Sequence, residues 1–105
     1  RYVDFKLVWT PLAREDLREV VAYIAKDDTR AAHRVGEGIL KAVEVLQSMP
    51  QFGRVVPERR QSNIREIIRG DYRIVYRVRE DTRSIEIWRV WHGARGVPNW
   101  GPMDN

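Results

Sequence analysis

The spacing of apolar side chains changes twice along this chain, and that change limits the folds it can adopt. Residues 3–9 alternate apolar and polar side chains, the period of two typical of a half-buried strand. Residues 11–26, and the stretch from Thr29 to the break at Met49 and Pro50, have apolar side chains every three or four positions, as amphipathic helices do. The period of two then returns in segments 64–69, 72–79 and 85–91.

Local signals support these boundaries. Thr10 before Pro11 is a strong helix start, and the acidic turn before Thr29 offers a second cap. Only a few residues join the two helices, so we expect an antiparallel hairpin. Segment 50–63 is predicted to be a loop, and the tail from Gly93 to be irregular.

The order of elements predicts an α+β fold within a single domain, residues 1–105. It comprises an N-terminal strand, the antiparallel two-helix hairpin, and a three-stranded antiparallel meander, with all strands in one twisted sheet. The turns of that meander are Gly70-Asp71 and the polar stretch 80–84.

Composition excludes several kinds of chemistry. The chain has no cysteine, which excludes disulfides and thiol nucleophiles and fits a cytoplasmic protein. No apolar run is long enough to cross a bilayer, so no membrane association is expected. Two histidines without a nearby acidic ligand pattern do not make a metal site, and no motif for a nucleotide cofactor is present. We therefore expect neither metal nor cofactor.

The positive charge is concentrated in the second half of the chain. The net charge is +4, yet residues 1–53 hold equal numbers of basic and acidic side chains, and every basic residue from 54 onward is arginine. Arginine pairs bidentately with phosphate and stacks on bases. This favours an anionic target, although an ordinary solvated surface would have the same composition.

Arginines recur on the predicted strands. On the middle strand Tyr72, Ile74, Tyr76 and Val78 alternate with Arg73, Val75, Arg77 and Arg79, which predicts one apolar and one cationic face. If Arg65 and Arg69 of the preceding strand share the face of Arg73, a continuous surface could hold a phosphate backbone. Glu66 and Glu86 weaken that surface, and the alternative is a wet sheet face.

Other candidates lie near the end of the last strand. His92 can exchange protons near neutral pH, and Arg95 follows it closely. A histidine at a strand end is more often structural than catalytic, and His33 is a weaker candidate still. Trp88, Trp91 and Trp100 could stack on bases or on a partner, although core positions are the commoner role, which we assign to Trp9.

Two groups of short motifs, in this order and spacing, resemble the ParE/RelE superfamily of bacterial toxins over residues 7–95. The first group is Trp9-Thr10-Pro11-Leu12-Ala13, Asp16-Leu17, Tyr23-Ile24, Leu46 and Pro50-Gln51-Phe52-Gly53-Arg54. The second is Arg65-Glu66-Ile67, the run from Tyr72 to Val78, the stretch 85–90 and His92-Gly93-Ala94-Arg95.

The resemblance implies a toxin that is neutralised by a cognate antitoxin wrapping over the helical hairpin and the sheet. Such a partner would cover apolar side chains. We assign Leu17, Val21, Ile24 and Trp91 to that contact. A homodimer through a sheet edge or a helix face, and a toxin–antitoxin hetero-oligomer, are all compatible with the sequence.

The superfamily contains two kinds of toxin. ParE-like members inhibit DNA gyrase, and RelE-like members cut messenger RNA on the ribosome with basic side chains and a proton-transfer group, commonly a C-terminal tyrosine. Here Arg73 and Arg95 match arginine positions and Arg65 replaces a lysine, but Ile67 occupies the other lysine position and no tyrosine follows Tyr76.

Because guanidinium groups shuttle protons poorly, the resemblance favours a ParE-like toxin that binds DNA gyrase and is not an enzyme. The predicted target-binding set is Arg65, Arg69, Arg73, Arg77 and Arg95. A harmless relative that only binds an antitoxin remains a third reading. The alternative is a RelE-like ribosome-dependent endoribonuclease, whose residues would be Arg65, Arg73, His92 and Arg95.

Overall fold

The computed structural model describes residues 4–98. Its strands are β1 (Lys6–Trp9), β2 (Arg54–Val55), β3 (Ile64–Arg69), β4 (Tyr72–Arg79) and β5 (Ser84–His92), and its helices are α1 (Pro11–Ala25) and α2 (Thr29–Glu44). Short 3₁₀ turns follow at Val45–Gln47 and Gly93–Arg95. The predicted strands and helices are confirmed in their order, while Val3 and Trp100 lie outside the described residues.

Both helices begin where the sequence predicts. The Thr10 side chain accepts a hydrogen bond from the Ala13 amide at 3.1 Å, and Asp28 accepts one from the Ala31 amide at 3.0 Å. The helices pack closely because Gly36 has no side chain: a Cβ there would lie 3.2 Å from Cγ2 of Val21. The predicted hairpin therefore forms, with α1 and α2 in direct contact.

The strands form one sheet in the order β1-β5-β4-β3-β2. The meander β3-β4-β5 is antiparallel, as predicted. The pairing of β1 with β5 is parallel, with Leu7 opposite Ile85, because the helical hairpin carries the chain back across the sheet. The predicted loop 50–63 contains β2, which is too short to show a period, and the predicted irregular tail begins with a 3₁₀ turn.

The main core lies between the helices and the sheet face that they cover, which we call the helix face. Its buried members include Ile39, Val43, Leu46, Ile74, Tyr76, Ile85, Ile87 and Val90. The opposite face, called the outer face, was predicted to be cationic, yet it holds a second buried cluster of Val56, Ile64, Val75 and Trp88. That prediction is wrong in part, because the chain after β2 folds over this face and brings Val56 onto it.

No helix within residues 4–98 is long and apolar enough to span a membrane.

Candidate functional site

The arginines predicted to contact a target lie on two different surfaces. Partners across adjacent strands share a face, and Arg65 and Arg69 are paired with Tyr76 and Tyr72, which pack on the helix-face core. Arg73 directly follows Tyr72 in β4, and successive side chains of a strand lie on opposite faces of the sheet. Arg73 therefore belongs to the outer face. The predicted continuous arginine surface is therefore wrong.

On the outer face, Arg73 is enclosed by two carboxylates. Its Nε lies 2.6 Å from Oε1 of Glu66, and its Nη1 and Nη2 lie 3.1 and 2.9 Å from the two oxygens of Glu58. Glu66 is fully buried and also binds Arg54, with Nε at 2.7 Å from Oε2. All three guanidinium nitrogens of Arg73 are therefore hydrogen-bonded to carboxylates. A phosphate would need the same nitrogens, which are already occupied.

The other cations of the outer face are also occupied. Arg77 pairs with Glu86 at 3.3 Å, and its guanidinium lies 5.9 Å from the centre of the Trp88 ring. Arg59 lies over the same ring at 5.4 Å. Because Trp88 is only 1% exposed, it is a core residue and offers no surface for stacking bases.

The pair between Glu58 and Arg73 predicts a pH effect on stability. The hydrogen bond from Arg73 lowers the pKa of Glu58 below its ordinary value of 4.5. The stability that the pair contributes is therefore complete above pH 4.5 and is lost as the pH falls through the lower pKa of the folded protein.

Urea unfolding at about pH 6 and about pH 3 should then show that the wild-type advantage over Glu58→Gln shrinks on acidification. An advantage of equal size at both pH values would contradict this account of Glu58.

Arg69 and Arg95, two of the arginines predicted to contact a target, both line a cavity of about 760 Å³ between the helices and the end of the sheet. We call it the arginine groove. Its polar lining comprises Arg34, Arg69, Arg95, His92, Tyr23 and Tyr72, together with the carboxylates Asp16, Glu19 and Asp71, above a floor of Val20, Ile24, Val35, Ile39 and Val90. Within residues 4–98, none of these three arginines forms an ion pair with a carboxylate. Arg69 and Arg95 are therefore the two members of the predicted set that line this groove without a carboxylate partner in the described chain.

Arg69 reaches the groove from the end of β3. Its guanidinium lies over α2 at Gly38, where a Cβ would be 3.2 Å from Nη2. The missing side chain of Gly38 thus leaves room for this cation. Arg34 stands four residues earlier, on the same side of α2 as Gly38. The sequence reasoning did not select Arg34, although its spacing from Gly38 was available as a signal.

Arg95 is placed by a stack of side chains. Its guanidinium lies 3.9 Å from the centre of the Trp91 ring, and that of Arg89 lies 4.8 Å from the same ring. Arg89 is held in turn by Asp16 of α1, with two nitrogen–oxygen distances of 2.8 Å. The buried pair of Asp16 and Arg89 was also missed, because residues 73 positions apart give no local signal.

His92 is oriented by the turn that carries Arg95. Its Nδ1 accepts a hydrogen bond from the Ala94 amide at 3.1 Å, so in the neutral ring the hydrogen is on Nε2. The ring also meets the edge of Tyr72, with centroids 5.2 Å apart. Burial, reinforced by the charge of Asp71, raises the pKa of Tyr72. Because Nδ1 accepts from the Ala94 amide, His92 can donate a hydrogen bond through Nε2, while its basic nitrogen is already occupied.

The residues proposed for a nuclease are thus divided. His92 and Arg95 line the arginine groove together, whereas Arg73 lies on the outer face. Arg65 donates hydrogen bonds to the carbonyl oxygens of Ser62 and Gly53, both at 2.9 Å. Arg65 and Arg73 consequently do not join His92.

The residues assigned to an antitoxin are also divided. Leu17 and Val21 line an apolar cavity of about 620 Å³ on one side of α1, together with Trp9, Arg14, Arg18, Ala22 and Leu40. Ile24 lines the arginine groove instead. Trp91 is 5% exposed beneath Arg89 and Arg95, so its assignment as a surface contact is wrong. No cluster of potential metal ligands occurs among residues 4–98.

Comparison with known proteins agrees with this architecture. The chain is 40% identical over 95 residues to Y4kP, a protein of Sinorhizobium fredii described as a toxin, covering 89% of this chain and 93% of that protein. It is 30% identical over 92 residues to Toxin RelE1 of Caulobacter vibrioides, covering 87% of this chain and 96% of the relative. Both relatives match almost from end to end.

Solved structures share the fold. A chain of the chromosomal ParDE toxin–antitoxin system of Pseudomonas aeruginosa superposes with a TM-score of 0.67 at 23% identity, covering 84% of this chain and 95% of that one. A chain of the RelBE2 toxin–antitoxin complex of Mycobacterium tuberculosis gives 0.55 at 26% identity, covering 86% and 99%.

The family model of the ParE toxin of type II toxin–antitoxin systems, parDE, matches residues 7–97. That match includes every strand and helix of the described chain apart from Lys6, the first residue of β1. The chain therefore belongs to the ParE toxin family, within the ParE/RelE superfamily of type II toxins.

Proposed function

We propose that this toxin inhibits DNA gyrase by binding it, without cleaving a substrate, and that a cognate antitoxin neutralises it. The observation that carries the proposal is the arrangement of the groups a nuclease would need. Arg73 is enclosed by Glu58 and Glu66, and the basic nitrogen of His92 accepts from Ala94. The raised pKa of Tyr72 further opposes proton transfer from that phenol. These features favour binding, and membership of the ParE family favours gyrase as the target.

We assign the antitoxin to the two cavities that flank α1. The cavity of Leu17 and Val21 accepts apolar side chains, and the arginine groove accepts carboxylates next to apolar ones. A segment that crossed α1 would cover Arg69 and Arg95 at the same time. In this proposal the antitoxin neutralises the toxin by hiding the cations that contact the target.

The proposal predicts the outcome of a supercoiling assay. Purified toxin at micromolar concentration should block gyrase, and the double variant Arg69→Glu/Arg95→Glu should be weaker by roughly tenfold or more, because two cations become anions. Arg30→Glu is the matched control, since Arg30 is an exposed arginine of α2 outside the groove. In a translating extract, transcripts should stay intact. Unaltered gyrase activity, or equal potency of both variants, would contradict the proposal.

A RelE-like endoribonuclease is the second candidate. It is favoured by one observation: the Arg69 and Arg95 cations share a groove with His92, which could reorient to exchange a proton. The 30% identity to Toxin RelE1 points the same way. Cut transcripts in the translating extract, abolished by His92→Ala, would establish this activity in place of the first.

A further inference from the structure

Residues 50–53 form a turn whose backbone is held by side chains of the sheet. The hydroxyl of Tyr76 donates to the Pro50 carbonyl oxygen at 2.7 Å and accepts from the Gly53 amide at 2.9 Å. Arg65 donates to the Gly53 carbonyl oxygen at 2.9 Å. We call residues 50–53 the Phe52 turn. Since Tyr76 is fully buried, the turn is fixed from inside the protein.

Close packing also holds the turn. A Cβ at Gly53 would lie 2.5 Å from the Glu66 carbonyl oxygen and 2.7 Å from the Tyr76 hydroxyl. The backbone of the turn is therefore pressed directly against β3 and β4. A backbone with so little room fixes the position and direction from which the Phe52 side chain leaves the turn.

The side chain carried by this fixed backbone points into solvent. Phe52 is 62% exposed and Met49 is 50% exposed, beside an apolar cavity of about 430 Å³ that Phe5 and Glu80 also line. A single exposed apolar side chain is common, but two large ones beside the same apolar cavity form a patch, and a patch carried by a rigid turn indicates a contact surface. Rigid aromatic anchors are also the residues that contribute most to protein interfaces.

This surface is separate from both cavities beside α1. No residue that lines the cavity beside Phe52 also lines the arginine groove or the cavity of Leu17 and Val21. Strand β4 runs from Tyr72 in the arginine groove to Arg79, next to Glu80, and a strand of this length spans roughly 25 Å. An antitoxin that covers the groove would therefore leave Phe52 exposed.

We propose that the Phe52 turn is a second docking site for the target protein, whose matching surface is an apolar pocket bordered by lysine or arginine. The inference rests on the proposed function for the identity of that target. The border follows from charge complementarity: Glu80 lies at the edge of the cavity and forms no ion pair within the described part of the chain, whereas the cation Arg83 is stacked on Phe5, with its guanidinium 4.4 Å from the ring centre. Phe52 and Met49 fill the pocket, and Glu80 pairs with its rim.

The experiment compares Phe52→Ser with the matched control Ile68→Ser, an exposed apolar residue of β3 that lines none of the three cavities. Each toxin is induced in cells without antitoxin, and each purified protein is titrated against gyrase. Growth arrest should disappear for Phe52→Ser alone, and the toxin needed for half inhibition should rise about 10- to 30-fold. Both variants should keep the wild-type melting temperature and antitoxin affinity.

The outcomes separate this inference from the proposed function. If wild-type toxin stops growth and Phe52→Ser does not, while gyrase is unaffected by either, the docking site stands and gyrase is the wrong target. Growth arrest by Phe52→Ser at wild-type strength overturns the docking site. It is also overturned if the Ile68 variant fails equally, if antitoxin binding is lost, or if sedimentation shows a wild-type dimer that Phe52→Ser dissociates.

Discussion

Asp16→Ala is expected to lower the free energy of unfolding by about 3–5 kcal/mol, the usual cost of removing one partner from a buried ion pair. Asp16 binds Arg89 through both oxygens and accepts from the Val90 amide at 3.0 Å, and both side chains are only 8% exposed. Without the carboxylate, Arg89 keeps a buried charge next to Trp91. Denaturant unfolding of the two proteins measures the difference.

Glu15→Ala provides the control for this measurement. Its partner Arg18 lies 3.2 Å away, but their side chains are 52% and 69% exposed. Water screens such a pair, so the loss should stay below about 1 kcal/mol. Equal losses from the two alanine variants would show that burial does not govern the contribution of Asp16.

Gly53→Ala should destabilise the protein by on the order of 3 kcal/mol, because its new methyl group has no space and the neighbouring hydrogen bonds must stretch. The obstructing atoms are the Glu66 carbonyl oxygen and the Tyr76 hydroxyl, which cannot swing aside as the end of a flexible side chain would. Thermal unfolding followed by circular dichroism would detect a loss of this size.

Gly93→Ala is the matched substitution. A Cβ at Gly93 would lie 3.4 Å from the Asp71 carbonyl oxygen, which is ordinary contact. Its melting temperature should stay near that of the wild type, since alanine also restricts the unfolded chain. A similar fall for both glycine variants would mean that loss of backbone freedom, rather than crowding at Gly53, causes the effect.

The helices and the meander could be predicted from sequence because their signals are local. Thr10 and Asp28 cap their helices as predicted, and β3, β4 and β5 begin and end within one residue of the predicted segments. The parallel pairing of β1 with β5 depends on how the chain returns across the sheet, and two-residue β2 has no period to detect. Both required tertiary information.

The prediction of one continuous arginine surface was wrong for a different reason. Gly70 and Asp71 form a two-residue turn, so Arg69 must pair with Tyr72, and an odd-numbered residue of β3 always faces an even-numbered residue of β4. Arg65 could therefore never share a face with Arg73. The length of this turn, which is visible in the sequence, therefore already excludes one continuous surface of Arg65, Arg69 and Arg73.

The carboxylates around Arg73 were only partly foreseen. Glu66 and Glu86 were noted as weakening the cationic face, and they do pair with Arg73 and Arg77. Glu58 lies in a segment without periodicity, so nothing in the sequence placed it on Arg73. The arginine groove escaped prediction for the same reason, because helices and sheet meet there only in the folded chain.

Among the strands of residues 4–98, β5 is synthesised after all the others, yet it lies inside the sheet between β1 and β4. Until it leaves the ribosome, β1 has no neighbour, and Asp16 lacks Arg89. Such distant pairings form late, so the emerging helical hairpin keeps its apolar face uncovered during translation. The surfaces that the folded chain offers to a partner are therefore completed only once β5 has been made, although much of each belongs to α1 and α2, which are made earlier.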